Sequence, residues 1–166
     1  MAKGPRYRVH FRRRREGKTD YRLRFWIART SKLRFVVRKT LNHIFCSITK
    51  ISLQGDETLV CAHSKELSKY GWKHGCGNLP ASYLVGFLCG KKALAKGLKE
   101  AAPDFGIQRV IKGSRIIATL YGARDAGLDI PLSEEILPPL DRIKGEHISS
   151  EISTEFDKVK VKIEAI

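Results

Sequence analysis

The sequence predicts an α/β domain built on a small mixed sheet. Three short segments rich in β-branched and aromatic residues lie between residues 33 and 63, and their connections are too short to hold a crossover. A long apolar segment follows, bounded by the capping residue Asn78 and by Gly97, which predicts a helix. A right-handed crossover through this helix sets a fourth strand parallel to the first. The expected sheet is therefore a three-stranded antiparallel meander plus one parallel strand.

The meander follows from hydrophobic alternation and turn residues. Ile44, Cys46 and Ile48 alternate onto one face of the second strand. Residues 40–42 make a tight first connection, and residues 54–56 hold a glycine suited to the second turn. The three strands are predicted over residues 33–39, 42–51 and 58–63.

A short helix that runs to about residue 29 is predicted before the meander. Either Thr19 or Asp20 can cap its first turn. Basic and apolar side chains fall on different sides of this helix. The basic stripe holds Arg22 and Arg29, and the apolar stripe holds Tyr21, Phe25 and Ala28.

The later elements complete a ribonuclease-H-like order. The long helix runs over residues 79–96, and a fourth strand over residues 101–106, where Pro103 argues against a central position. A last helix of the domain spans residues 115–126. Beyond it, Lys and Val alternate near residue 160, as in a small strand, after a short helix near residues 141–148.

These elements divide the chain into three parts. Residues 1–18 lack apolar periodicity and form a basic arm, which we expect to be extended and disordered without its partner. Residues 19–131 form the α/β domain, and residues 132–166 a C-terminal extension. No apolar run approaches the roughly 20 residues that span a bilayer, so we expect no membrane segment.

Positive charge is concentrated in the first forty residues, which hold 15 basic and two acidic side chains, whereas the whole chain carries +15. Aromatic residues are interspersed among the arginines, and this combination indicates a binding surface for a polyanion. A basic targeting tail or a merely solvated surface is the alternative. The arm contributes Arg6, Tyr7, Arg8, Arg12, Arg13, Arg14, Arg15 and Lys18.

The sequence contains little chemistry for catalysis or metal binding. A metal-dependent nuclease on this fold needs carboxylates on its strands, but the first strand has none and Asp104 stands alone on the fourth. Asp56 lies at a hairpin tip, the ordinary place for a turn residue. The four cysteines form no Cys-x-x-Cys pair, which predicts buried, free thiols and no zinc. We expect no enzymatic activity and no cofactor.

Three further segments are candidates for contacts with RNA. Trp72 lies in a glycine-rich basic loop over residues 64–78, where it either stacks on a base or anchors the loop inside the protein. His43 either contacts RNA or only completes its turn. Ser114 opens a helix beside Lys112 and Arg115, an arrangement that suits a phosphate, although Ser114 also suits a plain helix cap.

Three long motifs resemble the archaeal branch of the large-subunit ribosomal protein eighteen family. They are GPRYRVHFRRRREGKTDY (residues 4–21), GDETLVCAHSKELSKYGWKHGCGNLPASYL (55–84) and KGSRIIATLYGARDAGLDIPLSEEILP (112–138), and RIKGEHIS (142–149) ends the match. Leu41, Asn42 and Pro103 depart from the family pattern.

This resemblance implies a structural protein of the cytoplasmic ribosome that binds 5S rRNA in the central protuberance. Large-subunit rRNA and neighbouring ribosomal proteins would be its other partners. A general nucleic-acid-coating protein is the competing hypothesis. Besides the arm, the predicted RNA-binding residues are Tyr21, Arg22, Arg29, Arg38, Lys39, His43, Lys65, Tyr70, Trp72, Lys73, His74, Asn78, Lys112, Ser114 and Arg115.

Overall fold

A four-stranded mixed sheet forms the centre of the protein, whose computed structural model describes residues 4–30, 32–52 and 54–165. The strand order is β3-β2-β1-β4; β1–β2 and β2–β3 are antiparallel, and β4 is parallel to β1. The predicted α/β fold, a meander plus one parallel strand, is confirmed. Pro103 lies on the edge strand, as expected. The strands are β1 (Arg34–Lys39), β2 (Ile44–Lys50), β3 (Glu57–His63) and β4 (Ala102–Asp104).

Six α-helices surround this sheet within the described residues. Asp20 caps α2, because the amides of Arg22 and Leu23 donate to its Oδ1 at 2.9 and 3.2 Å. Asn78 caps α3 by accepting from the amide of Ala81 at 3.0 Å. The helices are α1 (Arg12–Arg15), α2 (Tyr21–Arg29), α3 (Leu79–Ala95), α4 (Arg115–Asp125), α5 (Leu140–Lys144) and α6 (Ser150–Glu164).

The core lies between the apolar face of the sheet and the crossed pair of α3 and α4. These helices approach each other at glycines: a Cβ on Gly86 would lie 1.8 Å from the carbonyl oxygen of Thr119, and one on Gly122 would lie 2.1 Å from that of Tyr83. Neither position has room for a side chain. The Sγ of Cys46 on β2 reaches the carbonyl oxygen of Val85 on α3 at 3.5 Å, which shows that α3 covers this face of the sheet.

The N-terminal segments differ from the prediction in two ways. The arm was expected to be wholly extended, but Arg12–Arg15 forms one helical turn. In α2, the predicted apolar stripe does not pack inward, because Phe25 and Ala28 are exposed and Ile27 is the buried residue. A third difference lies outside the N-terminal segments: after β3, where a loop was expected, Ser64–Tyr70 forms a 3₁₀ helix.

The strand predicted near residue 160 is wrong, because this segment belongs to helix α6. Its buried residues are Ile152, Phe156, Val159 and Ile163, which recur every three or four positions, as on one face of a helix. Val161, part of the apparent alternation, is 64% exposed. The extension predicted from residue 132 therefore packs into the same hydrophobic core as the rest of the domain.

All four cysteines are free, as predicted, but they are not all buried. Cys46 and Cys89 are buried, whereas Cys61 is exposed and Cys76 is partly exposed. Burial raises the pKa of the Cys46 thiol well above its ordinary value, so this thiol stays protonated. Within the described ranges, no helix combines the length and the apolar character needed to cross a membrane.

Candidate nucleic-acid interface

The second face of the sheet carries charge instead of apolar side chains. Arg34 and Arg38 point to this face of β1, because they alternate with the fully buried Phe35 and Val37 of the core face. Asp104 of β4 pairs in register with Val36 and so lies on the same side. The alternation that builds the core on one face therefore places arginines on the other.

These arginines belong to an ion-pair network of five residues, which we call the arginine–aspartate network. Arg34 donates to Asp104 at 3.0 Å and also binds Asp56, and Arg38 donates to Asp104 at 3.2 Å. Arg24 of α2 binds the other oxygen of Asp56 at 2.8 Å. One expectation is corrected: Asp56 is more than a turn residue, because it joins Arg24 of α2 to Arg34 of β1.

The network forms the floor of a cavity of about 310 Å³ between the arm, α2 and the charged face. Arg13 and Lys18 reach it from the arm. Arg13 also donates to Thr19 Oγ1 at 2.8 Å, and the ring of Phe11 packs 5.1 Å from that of Tyr21. These contacts connect the arm to the start of α2, so the two basic segments form one continuous surface.

The arm itself is exposed along residues 4–18. Its only acidic residue, Glu16, contacts Lys18 at 3.1 Å and Arg12 at 3.9 Å. Such exposed pairs are weak and are easily exchanged for a phosphate partner. The exposed basic residues are Arg6, Arg8, Arg12, Arg13, Arg14, Arg15 and Lys18 of the arm, followed by Arg22 and Arg29 of α2.

Trp72 supports the second of its two predicted roles, that of an interior anchor. Its side chain is only 4% exposed, and its Nε1 donates to the carbonyl oxygen of Gly75 at 3.3 Å. Next to it, His74 lies 3.2 Å from Glu155 of α6, and Tyr70 packs against the core. The aromatic residues of this loop thus hold it to the domain, while Lys65, Lys69 and Lys73 are its exposed cations.

His43 likewise supports the structural alternative. Its Nδ1 lies 2.9 Å from Ser64 Oγ, and its ring packs 5.0 Å from that of His63. Burial and the neighbouring His43 lower the pKa of His63. The neutral Nδ1 of His63 accepts from the amide of Lys65 at 3.0 Å and caps the 3₁₀ helix. The two histidines therefore connect the turn between β1 and β2 to this helix.

Arg115 at the start of α4 connects two loops. Its Nη1 donates to the carbonyl oxygens of Gly77 at 2.7 Å and Leu41 at 3.2 Å. Ser114 makes no capping hydrogen bond through its side chain, so the plain-cap alternative is not supported. Lys112, just before it, is exposed.

The remaining predicted residues serve neighbouring elements. Asn78 uses its side-chain oxygen to cap α3, and Arg38 is engaged by Asp104. Lys39 is half-buried, and its carbonyl oxygen accepts from Gln108 at 3.3 Å. Within the part of the chain that the structure describes, no three His, Cys, Asp or Glu side chains are grouped as a metal site.

Sequence reasoning missed two features of this surface. One is the arginine–aspartate network, whose only signal was the alternation of Arg34 and Arg38 with apolar residues. The other is the exposure of Phe25 and Trp26, which are 63% and 54% accessible on α2. The sequence signal for this exposure was the spacing of the two aromatic residues from Arg22 and Arg29, which places all four side chains on one face of the helix.

Comparison with known proteins gives consistent matches. A family model described as "Ribosomal large subunit proteins 60S L5, and 50S L18" matches residues 5–104. The chain is 54% identical over 148 residues to the large ribosomal subunit protein uL18 of Methanothermobacter thermautotrophicus, covering 89% of this chain and 77% of that relative. It is 49% identical over 151 residues to uL18 of Staphylothermus marinus, covering 90% and 75%. The similarity to these relatives extends well beyond the region of the family model.

Proposed function

The chain belongs to the family of ribosomal large subunit proteins 60S L5 and 50S L18, and on that premise we propose that it binds 5S rRNA and helps attach it to the large rRNA in the central protuberance. Membership makes it a structural constituent of the large ribosomal subunit, in a family of non-enzymatic proteins. Its partners are accordingly rRNA and ribosomal proteins. The finer assignment, to 5S rRNA, is the proposal.

The observation that carries this proposal is the continuous basic surface of the arm and α2. The arm has seven exposed cations, and its contacts with Thr19 and Tyr21 connect it to α2, which carries the exposed Arg22 and Arg29. Each arginine can donate two parallel hydrogen bonds to a phosphate. This surface supplies affinity for any RNA backbone but reads little sequence.

We assign the discrimination between RNAs to the folded shape of the RNA backbone, which cations at fixed positions on the protein can recognise. The arginine–aspartate network fixes α2 on the sheet, and Trp72, His43 and Arg115 fix the loops beside it. Lys65, Lys73 and Lys112 are exposed on the segments that these contacts hold. Cations at fixed spacings favour one folded RNA over others, because only a matching backbone meets all of them at once.

Crosslinking in a mixture of RNAs tests the proposal. The protein is added to total RNA extracted from large subunits at physiological salt, irradiated, and the attached RNA is identified. We expect crosslinks to 5S rRNA far above its share of RNA mass, centred on arm and α2 residues. Crosslinks distributed in proportion to RNA mass would instead support the coating-protein hypothesis.

Charge variants provide the matched control. Replacing Arg13 and Arg14 by Gln should reduce the 5S crosslinks. Lys99 and Lys158 are also exposed but lie outside the proposed surface. Replacing both by Gln changes the net charge by the same amount and should leave the crosslinks unchanged.

A further inference from the structure

The outer face of α2 carries an unusual set of four side chains. Arg22, Phe25, Trp26 and Arg29 are spaced by three, four and seven positions, so they share one face of the helix. All four are exposed, with Phe25 at 63% and Trp26 at 54%. Two large aromatic rings thus lie in solvent between two arginines.

The opposite side of α2 explains why these rings stay outside. Ile27 is the buried residue of the helix, and Arg24 is held by Asp56 on the charged side of the sheet. The hydroxyl of Thr30 closes the helix by donating to the carbonyl oxygen of Ile27 at 2.8 Å. Because this inner side is fixed by burial and by an ion pair, the helix cannot turn the aromatic side inward without breaking both.

The rings also form an ordered group. Phe25 and Trp26 meet edge to face with centroids 6.0 Å apart, and the Arg29 guanidinium lies 5.8 Å from the Trp26 centroid. Exposed groups of large apolar side chains mark interaction sites more often than isolated ones do. This face is therefore a candidate interaction site.

We propose that the outer face of α2 is a stacking platform for unpaired bases of rRNA, an inference that rests on the proposed function. Aromatic rings and guanidinium planes both stack on bases, and adjacent arginines bind the phosphates that connect them. Charge decides between RNA and a protein partner: Arg22 and Arg29 flank the rings, the basic arm joins the helix at Tyr21, and α2 itself contains no acidic residue.

The platform makes a prediction that separates stacking from charge attraction. Stacking on bases is worth about 1–3 kcal/mol per base and releases no counterions, whereas each phosphate contact contributes about −0.7 to −0.9 to the slope of log affinity against log salt. Removing Trp26 should therefore weaken binding without changing the salt slope. Removing Arg22 should flatten the slope.

Binding titrations with three probes test this inference: 5S rRNA, an unstructured single-stranded RNA and a perfect RNA duplex. Trp26→Ala should weaken binding to the first two by about fivefold to a hundredfold at an unchanged salt slope, and should leave the duplex unaffected. Trp26→Phe should retain most of the affinity. Leu41→Ala, which removes another apolar side chain that is 86% exposed, is the matched control and should change nothing.

A spectroscopic measurement gives an independent readout. The chain has two tryptophans, so Trp72→Phe leaves Trp26 as the sole reporter, and a stacking base should quench its fluorescence. If wild type binds 5S rRNA while Trp26→Ala loses no affinity for 5S rRNA or for the single-stranded RNA, the platform is disproved. The exposed face would then be a contact surface for a protein neighbour. If wild type prefers no probe, the 5S proposal fails, but the single-stranded probe still decides the platform.

Discussion

Arg34 is a charged residue held almost entirely inside the fold. Its side chain is 6% exposed, and two carboxylates, Asp56 and Asp104, bind its guanidinium. Removing Asp104 would leave the three arginines of the network facing a single carboxylate, Asp56, which costs far more than the loss of an exposed pair. Stability at this site therefore depends on the acidic residues, although the surface as a whole serves a negatively charged partner.

We expect Asp104→Ala to lower the free energy of unfolding by about 3–5 kcal/mol. Chemical denaturation measures this effect. Glu100→Ala is the matched control, because Glu100 pairs with Lys32 in solvent, with 61% and 54% of the two side chains exposed, and should cost less than about 1 kcal/mol. Equal losses for the two variants would mean that Arg34 does not need its partner.

His63 should make stability depend on pH. Burial and His43 lower its pKa below the ordinary value of 6.5, and the neutral ring is the form that caps the 3₁₀ helix. Between the lowered pKa and 6.5 the unfolded chain binds more protons than the folded one, so the free energy of unfolding should fall as the pH drops below about 6.5.

The comparison for this prediction is His63→Asn, which keeps a side-chain acceptor for the cap but does not titrate. Denaturation midpoints measured between pH 5 and 8 should fall less steeply toward acid in the variant than in wild type. Identical profiles would show that the other histidines account for the whole dependence.

The ion pairs of Asp56 and Asp104 show what cannot be predicted from single residues in a sequence. Arg34 contacts carboxylates 22 and 70 positions away, and only the strand register brings them together. The sequence correctly predicted that β1 is a strand, yet no local pattern indicates which distant acid meets which arginine. Trp72 and His43 show the same limit, since both of their predicted roles were compatible with the local sequence.

Among the elements, the arm and helix α6 contribute in opposite ways. None of the described arm residues 4–18 is buried, so the arm adds charge but little folding energy. Helix α6 adds no predicted contact with RNA, but it buries four apolar side chains against the domain.

Deleting residues 1–18 should leave the domain folded and weaken its binding to RNA. The slope of log affinity against log salt should become shallower, because phosphate contacts are lost. Circular dichroism and RNA titrations over a range of salt concentrations provide the measurements. A truncated protein with an unchanged salt slope would exclude the arm from the interface.

Phe156→Ala should lower the free energy of unfolding by about 3–5 kcal/mol. Its ring is 3% exposed and lies 5.4 Å from that of Tyr83 on α3. Val161→Ala, on the exposed side of the same helix, should change stability by no more than about 0.5 kcal/mol. If the two substitutions cost the same, α6 would be an appendage and not part of the core.

Helix α6 also shows why one element was predicted wrongly. Lys and Val alternate over residues 158–163, and over six residues this pattern fits a strand as well as a helix. The longer interval from Ile152 to Ile163 has spacings of four, three and four, which only a helix buries on one side. Strand β2 was predictable because its alternation extended over the whole element, and α3 was predictable because Asn78 and Gly97 mark its two ends.

At the scale of the molecule, one sheet separates two functions. Its apolar face packs on α3 and holds the core, and its charged face carries the arginine–aspartate network that positions α2 and the arm. The order of the four strands and of α2, α3 and α4, and the concentration of basic residues near the N-terminus, were predictable from the sequence. The orientation of α2 was not, because it depends on Ile27 and Arg24 reaching partners that are distant in the chain.

Specific recognition of 5S rRNA is the central claim, and a competition titration tests it most directly. Labelled 5S rRNA bound to the full-length protein at physiological salt is displaced either by unlabelled 5S rRNA or by an unrelated structured RNA of equal length. Because the arm attracts any phosphate backbone, both should compete, but the fixed cations of the domain should make 5S rRNA the stronger competitor by at least about tenfold. Equal competition by the two RNAs would contradict the account.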